Sequence, residues 1–107
     1  MIKQLLLAAA RARNRGWIYL GNSGLAYGVS DFTLPVTAVA GDLIIVNCAG
    51  NFPERAPVAS NGQTATKIHA SSSYQYYLVA TSNITSIQTS GTNTNDGGAA
   101  HVFRPPA

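Results

Sequence analysis

From Trp17 onward the chain is cut into short runs of β-branched, aromatic and Thr residues by recurrent Gly, Asn, Pro and Ser, and this punctuation most restricts its fold. Runs of that kind suit the pleated, half-buried surface of a strand, and the breakers supply the turns of antiparallel connections. Candidate strands cover residues 17–20, 26–29, 32–36, 42–48, 65–69, 74–80, 84–89 and 99–103. About eight short strands at this spacing predict an all-β fold, an antiparallel β-sandwich of jelly-roll type, because an open sheet would leave its second face bare. A chain of 107 residues has the size of one hydrophobic core, not two.

Two of these runs indicate how a sheet would be laid out. In the first, Phe32, Leu34 and Val36 point one way and Thr33 and Pro35 the other, so one face is buried. Pro35 cannot donate to a ladder, which puts its strand at an edge or puts Pro35 at a strand end. The run Leu43-Ile-Ile-Val46 is apolar on both faces, as in a central strand whose second side is covered as well, here by the N-terminal arm or by a neighbour. Cys48 is the single cysteine, which excludes an intrachain disulfide; its place in an apolar run predicts a buried small side chain.

Before Trp17 the pattern is different. Residues 2–12 contain good helix formers without Gly or Pro, and Ile2, Leu5, Leu6 and Ala9 share one helical face. A helix this short is marginal alone in water, so its aliphatic side needs a surface to pack on, and another subunit is the natural one. Arg11, Arg13 and Arg15 alternate, which aligns them on one side of an extended chain. The chain therefore divides into a helical and basic anchoring arm, residues 1–16, and a β-sandwich, residues 17–107. The apolar stretch 5–10 is shorter than the roughly 7 to 15 residues of a signal h-region and is read as retained.

Charge sharpens this division. Of the seven Lys and Arg residues, Lys3, Arg11, Arg13 and Arg15 lie in the arm, while Arg55, Lys67 and Arg104 face the four acids Asp31, Asp42, Glu54 and Asp96 in the body. The net charge of +3 thus belongs to the arm. Three arginines without interleaved aromatics support at most a weak, salt-sensitive contact with nucleic acid, and a protein surface is the better target. Only 10% of the residues are charged, against roughly a quarter in average soluble proteins, so the surface is built mainly from Ser, Thr, Asn, Gln and Gly. Such a surface suits a protein that works among neighbours, since little charge must be desolvated when subunits pack. No stretch approaches the roughly 20 apolar residues that a membrane helix requires.

Catalytic or metal chemistry needs convergent side chains, and the supply is His69, His101 and the four acids. There is no Gly-x-Ser-x-Gly elbow and no Gly-rich phosphate loop, so the residues point to a protein without catalysis, cofactor or metal. Thr92-Asn-Thr-Asn-Asp-Gly-Gly98 has oxygen donors but a single carboxylate, Asp96, and reads as a hairpin loop, not a calcium site. The aromatics Trp17, Tyr19, Tyr27, Tyr74, Tyr76 and Tyr77 would fill the core and subunit contacts. The rival reading is a sugar platform carried by Tyr74 and Tyr76, which share a strand face.

Phe32-Thr-Leu-Pro35, Ala40-Gly-Asp-Leu-Ile-Ile-Val46, Tyr76-Tyr-Leu-Val-Ala-Thr81 and His101-Val-Phe-Arg104 follow one another in an order and spacing that resembles β-sandwich minor structural proteins of tailed bacteriophages and prophages. In that family a turn reading Ala-Gly-Asp-Leu opens a hydrophobic strand, a later strand reads Tyr-x-Val-Ala-Thr, and the last strand ends in Val-aromatic-Arg. The likeness covers about residues 17–104. It departs from the family at residues 50–63, where a Pro-x-Gly-Trp segment is common but this chain has Asn51-Phe-Pro-Glu-Arg-Ala-Pro57; the basic arm lies outside the family pattern too. The resemblance implies a non-enzymatic virion protein, foremost a capsid decoration or cement protein and minor capsid component, with other virion proteins (major capsid protein or tail protein) as partners and further copies of itself in a homo-oligomer. The arm would attach it through Ile2, Leu5, Leu6, Arg11, Arg13 and Arg15. The alternative is a tail- or fibre-associated lectin-like module.

Overall fold

The computed structural model describes residues 16–24, 26–27, 31–49, 56–70, 73–89 and 97–106. The expected helix of residues 2–12, the arm up to residue 15 and the loop 92–96 lie outside them. The described residues are all β, and every strand pairing between them is antiparallel. In chain order the strands are β1 (Ile18–Asn22), β2 (Ala26–Tyr27), β3 (Asp31–Ala38), β4 (Leu43–Ala49), β5 (Val58–Ala59), β6 (Thr66–Ala70), β7 (Ser73–Val79), β8 (Ile84–Gln88) and β9 (Gly97–Arg104).

Two sheets result. The larger has the order β1-β9-β4-β7-β6, with β2 also paired to β9, and the smaller has the order β3-β8-β5. Phe32, Leu34, Ala38, Ile84 and Ile87 from the small sheet join Ile44, Val46, Tyr76, Leu78, Ala100 and Val102 from the large one in a single buried cluster. The arrangement is sandwich-like, with one core between facing sheets. Each strand that was expected from its composition is present. Val58–Ala59 was not expected: two residues next to a proline carry no periodicity, and their pairing with Gln88 and Ile87 is a non-local event.

The strand of two apolar faces, β4, is the third of five along the sheet path, flanked by β9 and β7. Ile44, Val46 and Cys48 turn into the core, while Leu43, Ile45 and Asn47 are half-buried on the other side. Pro35 lies in β3, an edge strand of the small sheet, as its missing donor requires. The expected inward alternation Phe32, Leu34, Val36 fails at its last member, for Val36 is 40% exposed and Ala38 takes the inward position. Pairing with β8 jumps from Thr33–Ser86 to Ala38–Ile84, because the ladder cannot run through Pro35 and resumes only after a bulge.

Three sequence segments close one end of the large sheet. Val39-Ala40-Gly41-Asp42 is a tight turn in which the Asp42 amide donates to the Val39 carbonyl at 2.9 Å and Gly41 has φ +96°. A side chain would strain that left-handed position, which matches the glycine required at the third residue of a type II turn. Gly41 and Ala80 extend the β4–β7 ladder, through Gly41 N to Ala80 O and Ala80 N to Asp42 O, both at 2.8 Å. Arg104 at the end of β9 donates to both carboxylate oxygens of Asp42, at 3.1 and 2.9 Å. Opposite this clasp, Gly98 lets β9 and β4 approach closely: a Cβ there would collide with the Asn47 carbonyl oxygen and sit 3.1 Å from the Phe32 ring.

The turn after β5 is held by side chains. Gln63 donates from Nε2 to the Val79 carbonyl at 2.9 Å and accepts the Thr81 amide at 2.8 Å, linking this turn to the segment that joins β7 and β8.

Candidate functional site

The outer face of the large sheet, turned away from the core, gathers several of the exposed large side chains, Tyr19, Tyr77 and Val79 among them. Register fixes its composition. Its first row runs Tyr19, Phe103, Leu43, Val79 across β1, β9, β4 and β7. The second runs Asn22, His101, Ile45, Tyr77, Thr66. The third is made by Ala99, Asn47, Gln75 and His69. None of these positions holds Asp, Glu, Lys or Arg. Tyr19, Tyr77 and Val79 are 49, 40 and 48% exposed, and Leu43, Ile45, Phe103 and His101 are half-buried by their neighbours.

One corner of the face is ordered by its polar groups. The Tyr19 hydroxyl lies 3.0 Å from Nδ1 of His101 and accepts from Asn22 Nδ2 at 2.9 Å. The hydroxyl, accepting from Asn22, can also donate to Nδ1 wherever that nitrogen carries no proton. The Tyr19 ring packs on Phe103 with centroids 5.1 Å apart and tilted by 41°, within the separation at which aromatic pairs attract. Asn22 is itself anchored, its Oδ1 accepting the Gly24 amide at 2.7 Å. A bulge at Leu20, between the pairs Tyr19–Phe103 and Gly21–Val102, aims Tyr19 over this corner while Leu20 packs toward the core.

Away from the face, Asp42, its partner Arg104 and Cys48 are the groups with shifted acidity. Burial by itself would raise the Asp42 carboxyl, but the Arg104 hydrogen bonds, the Val39 amide and the guanidinium charge outweigh it and hold the group below its ordinary value of 3.8. Burial pushes the Cys48 thiol up to about 11, so it is neutral and shielded at physiological pH. Among the described residues no three His, Cys, Asp or Glu side chains converge in a way that would hold a metal ion. No helix among them is long and apolar enough to cross a membrane.

Measured against expectation, the structure separates the tyrosines. Tyr76 is 3% exposed and belongs to the core, which corrects its place in a sugar platform: strand alternation directs it inward opposite Val46. The side chain of Tyr74 lies outside the described set, as do the arm residues Ile2, Leu5, Leu6, Arg11, Arg13 and Arg15. Tyr77 and Tyr19 are the exposed rings instead. Sequence alone missed the Tyr19–His101–Asn22 group, since 82 residues separate Tyr19 from His101; only the β1–β9 pairing unites them. Comparison with protein families, with curated proteins and with solved structures returned no match to this chain.

Proposed function

We propose that this chain is a non-enzymatic structural protein of a tailed-phage virion, a capsid decoration or cement module with a jelly-roll-like sandwich that attaches through its N-terminal arm. The observation that carries the reading is the outer face of the large sheet: aliphatic and aromatic side chains mixed with amides, a hydroxyl and imidazoles, without Asp, Glu, Lys or Arg, and so able to meet a neighbour at little desolvation cost. The motifs of the resemblance also meet in space. Asp42 of the Ala-Gly-Asp-Leu turn, Ala80 of the Tyr-Tyr-Leu-Val-Ala-Thr strand and Arg104 of the final strand form the clasp at one end of that sheet. Their succession along the chain thus has a structural reason, which supports reading them as one unit.

On this reading residues 1–16 join the module to a neighbouring subunit of the particle, with Ile2, Leu5 and Leu6 buried and Arg11, Arg13 and Arg15 meeting acidic groups. Mass spectrometry of purified particles tests it. The protein is expected in stoichiometric amounts with the capsid or tail proteins, and its confinement to infected-cell lysate would end the proposal. The outward Tyr19–Phe103 pair, with Asn22 and His101 beside it, favours a second reading as a lectin-like module, because a flat ring flanked by donors and acceptors suits a sugar. A glycan array separates the two: saturable, Tyr19-dependent binding would establish the lectin.

A further inference from the structure

Asparagine followed by glycine occurs once in the chain, at Asn61-Gly62, in the turn that leaves β5. In an open chain such a pair is labile, because glycine has no side chain to keep its backbone nitrogen away from the asparagine Cγ. The fold closes the pair into a hairpin. Ala59 N donates to Gln63 O at 2.7 Å, Gly62 N donates to Ala59 O at 2.8 Å, and Gly62 has φ +93°, the pattern of a three-residue loop ending in a left-handed glycine. Ser60 fastens the loop to β8: its amide donates to the Ser86 carbonyl at 3.0 Å and its hydroxyl accepts the Thr85 amide at 2.9 Å.

The Asn61 side chain is held at both ends. Its Oδ1 accepts the Gln63 amide at 3.0 Å, while its Nδ2 donates to Gln63 Oε1 at 2.7 Å and reaches Ser82 Oγ and the Ser82 carbonyl at 3.1 and 3.3 Å. Gln63 cannot turn its amide round, since Nε2 is committed to the Val79 carbonyl and Oε1 to the Thr81 amide. Position 61 therefore needs a donor aimed at Gln63 Oε1, which asparagine has and an ionised aspartate lacks.

We infer that Asn61 is a deamidation site gated by the fold: closed in the native hairpin, open when the hairpin opens, and damaging to the link between β5 and the β7–β8 connection once it has reacted. The co-reactant is water. Hydroxide removes the Gly62 amide proton, the nitrogen bonds to Asn61 Cγ, and the Cγ–Nδ2 bond breaks to release ammonia and leave a succinimide. Water then opens the ring at Cγ, giving aspartate, or at the Asn61 backbone carbonyl, giving isoaspartate. The imide nitrogen carries no hydrogen, so the ring is incompatible with the bond from Gly62 to Ala59, and the departing Nδ2 abandons its acceptors. Reaction accordingly follows the population of locally opened hairpin. Afterwards an anion faces Gln63 Oε1 and the Ser82 oxygens, and isoaspartate lengthens the loop backbone by one carbon. Refolding does not reverse the change, since the ammonia is gone. The inference is independent of the virion reading.

The full chain and a synthetic peptide of residues 56–66, incubated together at mildly alkaline pH and followed at residue 61 by mass spectrometry, provide the test. Conversion is expected to be at least about ten-fold slower in the folded protein. Gln63→Ala leaves the Asn61-Gly62 pair intact but removes its clamp, and should move the rate in the protein toward that of the peptide, with circular dichroism reporting that the variant is folded. Should it fail to fold, Ser82→Ala, which removes one acceptor, should speed conversion by a smaller factor. Asn61→Asp should raise hydrogen exchange at the Thr81 amide and lower the denaturation midpoint. Equal rates in protein and peptide, or a folded clamp variant with the parental rate, would overturn the gate. An Asn61→Asp protein with parental exchange and midpoint would overturn the damage.

Discussion

Asp42 holds together three parts of the chain that are distant in sequence. Its Oδ2 accepts the Val39 amide at 2.9 Å, its backbone carbonyl accepts the Ala80 amide, and both carboxylate oxygens accept from Arg104. The carboxylate is almost completely shielded while the Arg104 side chain is 40% exposed, so this is a half-buried pair whose value lies in satisfying the acid, not in surface attraction. Because the folded-state pKa of Asp42 is depressed, its contribution is fully present above the unfolded value and is lost as pH falls through the lower, folded value. The denaturation midpoint of the parent protein should therefore fall as pH drops below about 4, the ordinary aspartate range. Asp42→Asn should lose about 1–3 kcal/mol at pH 7, by weakening bonds to a buried acceptor, and should show a flatter acid limb. Urea titrations at steps from pH 7 to pH 2 measure both. Equal acid slopes in parent and variant would assign the acid sensitivity to another carboxylate.

At the scale of elements, β4 shows what local pattern conveys and what it leaves out. Four consecutive apolar residues, Leu43 to Val46, pointed to a strand in the middle of a sheet, and β4 lies between β9 and β7, but the cover expected on its second face is not found among the described residues. The same pattern could not say which face meets the second sheet; that follows from pairing with β9 and β7, whose residues are far away in sequence. The bulge in β3 was half-legible: Pro35 announced an edge, but where the ladder resumed depended on Ala38 finding Ile84. The outer-face site was least legible, since Tyr19, Tyr77 and Phe103 are ordinary strand aromatics until register aligns them. The two faces of β4 should respond differently to truncation. Ile44→Ala, at a position with no exposure, should cost about 2–5 kcal/mol by loss of burial and creation of a cavity. Ile45→Ala on the half-buried outer face should cost clearly less in the isolated subunit, and the difference should narrow wherever a partner covers that face. Thermal or urea denaturation of the pair decides; equal costs in a dissociated subunit would mean the outer face is already packed.

For the whole molecule, the decisive asymmetry is electrostatic. Four of the seven basic side chains sit in the first fifteen residues, while the body balances three cations against four acids and offers a sheet face with none of either. Association through this molecule should accordingly separate into two contributions. Burial of aliphatic and aromatic surface supplies most of the strength, at about 1.5–3 kcal/mol for each large side chain taken from water, before association costs of several kcal/mol are subtracted. The arginines act at the rim, where exposed ion pairs are typically worth about 1 kcal/mol or less and are screened beyond about 8 Å at physiological ionic strength. They steer and orient more than they hold. Replacing Arg11, Arg13 and Arg15 together by Gln should leave binding to particles detectable but weaker at low salt, and should flatten the fall in affinity between about 50 mM and 500 mM salt, because the term that salt screens is gone. Sedimentation of labelled protein with particles across that range measures the slope. Removing residues 1–15 altogether should abolish binding at every salt concentration while the sandwich-like body keeps its β circular dichroism spectrum, the members of the buried cluster among the described residues lying from Leu20 onward. A triple variant with the parental salt slope would move the electrostatic contact from the arm to Arg55, Lys67 or the acids of the body, and a truncated chain that binds as tightly as the parent would move the anchor to the sheet face itself.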